Sequence, residues 1–199
     1  MKEKKVVVIL VILMLIGMTL YALNKSTILQ NTDVELTIND TIGDMSPADM
    51  NLWRSSGVYA AFEIESRYKS DETLIIKAYE YKTGKMTNEF DLATLYRDSK
   101  NANVVFNLDK EKGYRFVGGN GIYYDSGWFT PYTQSSYGMK LSSNDVSVNK
   151  GEEVLIGYFA SSVENGLKMY NVVFGVDINT LDSECLDNDM VILITATVE

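Results

Sequence analysis

The chain of 199 residues contains no histidine. It therefore lacks the side chain that most often acts as a general base near neutral pH and most often ligates metal ions. This absence excludes Ser-His-Asp and Cys-His catalysis, together with every zinc site that uses histidine. An enzyme would have to use carboxylate pairs or Ser/Lys chemistry, and no motif for either stands out. We predict that the protein is not an enzyme and holds no metal ion or other cofactor.

Cysteine is nearly absent as well, because Cys185 is the only one. One thiol cannot form an internal disulfide, so the fold must rest on its own hydrophobic core. A lone cysteine is most often a small buried hydrophobe, whereas an exposed one could cross-link two chains. We expect Cys185 to be buried.

Positive charge is scarce, with 18 Lys and Arg against 27 Asp and Glu. Beyond residue 23 the balance is 15 against 26, because Lys2, Lys4, Lys5 and Glu3 all precede that point, and the net charge there is −11. Such a surface repels phosphate, which argues against nucleic acid as a partner and against binding to an anionic lipid surface. It is compatible with cationic partners, with low-affinity binding of metal ions, or with solubility alone.

Residues 6–23 form a long run without any charge. As a helix they would extend roughly 27 Å, close to the ~30 Å hydrocarbon core of a bilayer. We predict a transmembrane anchor that takes the lipid bilayer as its partner, with the lysine-rich residues 1–5 in the cytoplasm and the rest outside. A cleaved signal peptide is the alternative, although the run is long for one and lacks a small-x-small cleavage site. Residues 24–33 then make a polar stalk.

The remainder, 34–199, shows the two-residue alternation of strands rather than the rhythm of βαβ units. A helix is predicted from the Ser46-Pro47 start to Gly57, and another over 91–97 after the capping Asp91. The Lys82-Thr83-Gly84-Lys85 run, the Asn149-Lys150-Gly151 run and the Asn165-Gly166 pair predict hairpin turns, the second of them between the strands 146–148 and 154–159. The predicted strands cover residues 34–38, 58–66, 73–82, 104–108, 114–117, 146–148, 154–159, 167–176 and 190–198.

Nine or ten strands with two short helices predict an all-β domain. One sheet alone would leave an apolar face in water, so two must pack together. We predict an antiparallel two-sheet sandwich of jelly-roll or immunoglobulin-like type, formed by residues 34–199 after the transmembrane helix. The strand 190–198 is apolar on both faces, which is typical of a central strand.

Residues 118–137 combine glycines with many aromatic side chains. Aromatic faces beside polar groups suit a sugar ring, and the same amphipathic rings suit a protein interface. The alternative is that these rings fill the interior of the sandwich. The residues predicted to bind a ligand are Tyr123, Tyr124, Asp125, Trp128, Phe129 and Tyr132.

Two groups of acidic residues are weaker candidates. Residues 177–189 are rich in Asp, Glu and Asn, so they could bind Ca²⁺ at the sandwich edge or simply keep a loop solvated. Glu63 and Glu65 share one strand face about 7 Å apart, inside the spacing range of glycosidase carboxylates. Solvent-facing strands commonly show the same pattern, so neither group is assigned a catalytic or metal-binding role.

Together these features predict a single-pass membrane protein whose extracytoplasmic sandwich binds carbohydrate or protein at the cell surface. If residues 6–23 are cleaved, the same domain is secreted. The alternative function is a structural subunit of a surface complex held together through its amino-terminal helix. The start of the apolar run does not resemble that of type IV pilins.

Overall fold

The computed structural model describes residues 34–41, 45–55, 57–68, 72–96, 101–109, 113–119, 124–125, 136–162 and 166–199. The predicted cytoplasmic tail 1–5, anchor 6–23 and stalk 24–33 lie outside the described residues. Within the described residues, no helix is both long and apolar enough to cross a bilayer.

The described part of the chain is built almost entirely from strands. Its helix, α1 (Pro47–Ser55), begins where predicted, because the Ser46 hydroxyl accepts a hydrogen bond from the Asp49 amide. Two 3₁₀ turns follow much later, at Ile178–Thr180 and Ser183–Leu186. The strands are β1 (Val34–Asp40), β2 (Val58–Tyr68), β3 (Leu74–Lys82), β4 (Lys85–Leu95), β5 (Asn101–Asp109), β6 (Gly113–Gly119), β7 (Tyr124–Asp125), β8 (Ser136–Leu141), β9 (Val146–Val148), β10 (Glu153–Ser162) and β11 (Met190–Val198).

These strands form two antiparallel sheets that pack face to face. The first sheet has the order β7-β6-β5-β2-β1-β9, and the second has the order β4-β3-β11-β10-β8. The core between them is aromatic and aliphatic, with Phe62, Phe106 and Phe116 from the first sheet against Phe159 and Ile192 from the second. The predicted all-β, two-sheet sandwich is confirmed.

A third layer covers the outer face of the second sheet. The outer cover, residues 166–187, packs apolar side chains against Tyr79, Tyr158 and Leu193 of that sheet. Strand β11 lies between β3 and β10 and is therefore buried on both faces, as its composition predicted. Cys185 belongs to this layer and is buried and free, so the expectation for this residue is confirmed.

The hairpin turn predicted at 82–85 is confirmed, and it joins β3 to β4. Thr83 and Gly84 both have positive φ, at 48° and 76°, which is the geometry of a type I′ turn. The predicted helix over 91–97 is wrong, because residues 91–95 belong to β4 and pair with β3. A register shift there leaves Leu92 and Ala93 both buried in succession, and this irregularity resembles helical spacing.

Two further predictions for the second half of the chain are wrong. Residues 167–176 are not a strand but part of the outer cover, where their apolar side chains pack on the outer face of the second sheet. They bond to β10 near their end, where the Leu155 amide and carbonyl pair with Val176 and Gly175. Strands β9 and β10 do not form a hairpin either. Strand β9 pairs with β1 in the first sheet, so residues 149–151 carry the chain from one sheet to the other.

Candidate functional site

A cleft of about 330 Å³ opens between the two sheets near the beginning of β2. Gly57, Val58 and Tyr59 line it from the start of β2, Leu108 lines it from the end of β5, and Tyr137 lines it from β8. We call these five residues the aromatic cleft. Three strands that are distant in sequence therefore supply a single concave surface, which is the usual form of a ligand site.

Backbone geometry places Tyr59 at the cleft. Gly57 has a φ of +87°, a conformation that favours glycine, and it turns the chain from α1 into β2. Its carbonyl accepts a hydrogen bond of 2.9 Å from the Leu108 amide, which fixes the start of β2 beside the end of β5. A register shift between Val58 and Ala60 marks the same point, where a bulge changes the direction of the side chains.

The two tyrosines of the cleft form an edge-to-face pair. Their ring centroids are 4.9 Å apart and their planes are inclined by 86°. Behind them, Tyr59 makes two further edge contacts at 6.0 Å with the core rings of Phe106 and Phe159. Tyr137 is 45% exposed, so its ring is available to solvent while Tyr59 anchors it to the core. The pair offers a supported aromatic surface to a ligand.

The predicted ligand-binding residues are only partly described by the structure. Tyr124 and Asp125 form the short strand β7, which pairs with Gly118 and Val117 of β6. The other predicted residues, Tyr123, Trp128, Phe129 and Tyr132, lie outside the described residues. Tyr137 ends the same aromatic segment, and β8 brings it to Tyr59. Sequence reasoning did not pair these two tyrosines, because their contact depends on how the sheets pack.

The acidic run 177–189 has structural roles in the folded domain. The carboxylates of Asp177 and Asp182 accept hydrogen bonds from the amides of Asn179 and Glu184, and so they cap the two 3₁₀ turns. In the part of the chain that the structure describes, no group of three or more acidic or thiol side chains is arranged to hold a metal ion.

Asn188, which the sequence placed in that acidic run, is 3% exposed and fastens the outer cover. Its side chain donates to the Lys168 carbonyl at 2.9 Å and accepts from the Lys168 amide at 3.1 Å. Next to it, the Tyr158 hydroxyl donates to the Cys185 carbonyl at 2.8 Å. The Tyr158 bond joins the cover to the second sheet, and the Asn188 bonds join the cover to the residues just before β11.

Glu63 and Glu65 lie side by side on the outer face of the first sheet. The Glu63 carboxylate accepts a 3.0 Å hydrogen bond from the Asn101 side chain, and the Glu65 carboxylate accepts one of 3.2 Å from the Asn39 side chain. Each acid is therefore tied to an amide on a neighbouring strand. These cross-strand pairs stabilise the sheet.

Glu80 and its polar neighbours form a buried group that was not predicted from the sequence. The Glu80 side chain is fully buried. Its carboxylate accepts hydrogen bonds from the Thr87 hydroxyl at 2.8 Å and from the side-chain nitrogen of Asn88. The Lys82 ammonium lies 3.2 Å from the other carboxylate oxygen. Burial, followed by the charge of Glu80, raises the pKa of Tyr114 far above its ordinary value. We call these five residues the Glu80 cluster.

The signal for this cluster was present in the strand pattern. Ile76, Ala78 and Glu80 alternate along β3, and the first two face the core. A carboxylate in phase with core residues is buried, and a buried charge requires partners.

The fold defines the chain as a two-sheet β-sandwich with an outer cover. This sandwich carries the aromatic cleft and the buried Glu80 cluster. Comparisons with protein-family models, curated proteins and solved structures gave no match.

Proposed function

We propose that the protein is a membrane-anchored, extracytoplasmic β-sandwich that binds carbohydrate or protein at the cell surface through its aromatic cleft. Residues 6–23 serve as the anchor in this proposal, and residues 24–33 serve as the stalk. The finer topology of the sandwich, jelly-roll or immunoglobulin-like, stays a prediction.

The observation that carries the proposal is the exposed Tyr137 ring, supported by Tyr59 at the mouth of a cleft of about 330 Å³. Large side chains that project from a rigid base lose little entropy on binding, and tyrosine is among the residues that dominate binding energies. The described lining consists of Gly, Val, Leu and Tyr, which favours an uncharged group of the ligand. Of the five described lining residues, all but Gly57 lie on strands, so the sheets position this part of the lining.

Replacing Tyr137 tests the binding part of the proposal. We expect the full chain in detergent to bind a component of a glycan array or a cell-wall extract. Tyr137→Ala should weaken that binding about tenfold or more, because it removes the exposed ring. Binding is measured as the midpoint of a titration, and thermal unfolding of the variant is measured in parallel.

Tyr96→Ala is the matched control, since Tyr96 is 54% exposed and follows β4 rather than lining the cleft. We expect it to bind like the unaltered chain. Equal binding by the Tyr137→Ala and unaltered chains, or no ligand in either screen, would contradict the proposal.

The anchor is tested separately in intact cells. The apolar run should hold the full-length chain in membranes through an alkaline carbonate wash, because burying about eighteen apolar residues in lipid resists extraction. Protease added to whole cells should digest the β-sandwich. Release of the unprocessed chain by carbonate, or its survival in protease-treated cells, would show that the anchor or its orientation is wrong.

A further inference from the structure

The buried carboxylate of Glu80 contacts an amine and a primary amide at the same time. The Lys82 Nζ atom lies 3.2 Å from Oε1, and the Asn88 side-chain nitrogen donates to Oε2. Lys82 ends β3 and Asn88 lies on β4, directly opposite Glu80. The two nitrogen groups thus lie against the two oxygens of one carboxylate.

We infer that Lys82 and Asn88 form an amide cross-link between their side chains, with Glu80 as the group that transfers protons. The Lys82 Nζ atom attacks the Asn88 Cγ atom, a new C–N bond forms, and the bond from Cγ to Nδ2 breaks. The displaced nitrogen leaves as ammonia. This cross-link is independent of the proposed binding function.

The proton balance is closed by the residues at this site. Glu80 takes one proton from the Lys82 ammonium as the amine attacks and returns it to the departing Asn88 nitrogen, which its Oε2 atom already contacts. The ammonia so formed takes up the second proton, which the new amide nitrogen loses. A lysine ammonium and a carboxamide become a secondary amide and an ammonium ion. Charge and atoms are conserved, and neither oxidant nor reductant is required.

The residues around Glu80 favour this amide-forming reaction. The Glu80 side chain and Tyr114 are both 0% exposed, so the side of the carboxylate that faces the core is shielded from water. The Thr87 hydroxyl donates to Oε2 at 2.8 Å and holds the carboxylate in orientation. Binding both side chains to one carboxylate lowers the entropic barrier of their reaction. Lys82 reaches the site from the rim, where its side chain is 39% exposed.

The cross-link would stabilise β4, an edge strand of the second sheet. Strand β4 is at one edge of the second sheet, where it pairs with β3 alone. The chain cannot close an internal disulfide, because Cys185 is its only cysteine. A covalent bond across the β3–β4 hairpin restricts the unfolded chain as a disulfide does.

The test is the intact mass of the purified full chain. We expect it to fall below the mass calculated from the sequence by one ammonia. Trypsin should fail to cleave after Lys82, and the map should show one branched peptide joining Lys82 to Asn88. Lys82→Arg keeps the positive charge but removes the nucleophile, and it should show its full calculated mass. Lys85→Arg, on the same hairpin, is the matched control and should still lose ammonia.

An unaltered chain at its full calculated mass, cleaved normally after Lys82, would overturn the inference. Loss of ammonia mapped to an asparagine other than Asn88 would overturn it too. Glu80→Gln removes the group that transfers protons, so the folded variant should keep its full mass. Should that variant fail to fold, the masses of the unaltered chain and of Lys82→Arg still decide the question.

Discussion

Gly118→Ala is expected to lower the free energy of unfolding by about 3 kcal/mol or more, at the upper end of single substitutions. A Cβ atom at this position would lie 2.1 Å from the Asn103 carbonyl oxygen and 3.0 Å from the Val104 Cα atom. Both atoms belong to the backbone of β5, so no side-chain rotation relieves the contact. Strands β5 and β6 would have to separate, and their shared hydrogen bonds would be lost.

Urea unfolding measures this effect, and Gly84→Ala is the matched control. Gly84 has a φ of +76° and no atom within 4 Å of its added Cβ, so the control isolates backbone strain of roughly 1 kcal/mol. Gly118 also pairs with Tyr124, so its replacement should displace β7, which carries two of the predicted ligand-binding residues. A Gly118→Ala variant as stable as the Gly84→Ala control would show that the close approach of β5 and β6 is not present in solution.

Strongly alkaline solution is expected to unfold the sandwich. Tyr79, Tyr114 and Tyr158 are 7%, 0% and 0% exposed, and burial is the main cause that raises the pKa of each phenol. Above pH ~10 the unfolded chain releases these protons while the folded chain retains them. The unfolded state then binds fewer protons, so stability falls as the pH rises.

The magnitude is large enough to unfold a domain of this size. Each phenol contributes about 1.4 kcal/mol per pH unit once the unfolded chain ionises, so three together contribute roughly 4 kcal/mol per unit. At pH ~12 the loss approaches 8 kcal/mol, which is comparable to the whole stability of an ordinary domain, about 5–15 kcal/mol. Urea unfolding from pH 8 to pH 11.5 measures the slope.

Tyr114→Phe should reduce that slope by about 1.4 kcal/mol per pH unit, because one proton is removed from the balance. A stability that stays level up to pH 11.5 would contradict the assignment of these phenols as buried and protonated.

The strand pattern was predictable wherever alternation was regular. In β2, Phe62 and Ile64 are buried while Glu63 and Glu65 are only partly buried, as the two-residue period predicts. The hairpin turn at Thr83 and Gly84 was predictable because its sequence carries a glycine that tolerates positive φ. These features depend on residues close together in the chain.

The errors arose where a distant partner decided the local structure. Leu92 and Ala93 follow a bulge against β3, so their burial imitates a helix although the chain is extended. Residues 167–176 alternate like a strand, but their apolar side chains pack on the outer face of the second sheet. In both cases tertiary pairing overrode a local pattern.

The aromatic cleft and the Glu80 cluster were also predictable only in part. Tyr137 was part of a predicted aromatic segment, but its partners Tyr59 and Leu108 come from strands far away in sequence. Glu80 was visible as a carboxylate in phase with Ile76 and Ala78, whereas its contact with Tyr114 requires the two sheets to be packed.

By itself the sequence determined that the domain is an all-β sandwich without histidine chemistry or internal disulfides, because composition and the two-residue period are properties of the chain alone. Only the tertiary structure decided which strand pairs with which, that residues 166–187 cover the second sheet, and which side chains meet at the aromatic cleft and the Glu80 cluster. The reason is that strands pair across long sequence separations, and the energy of each pairing depends on the neighbours that it finds.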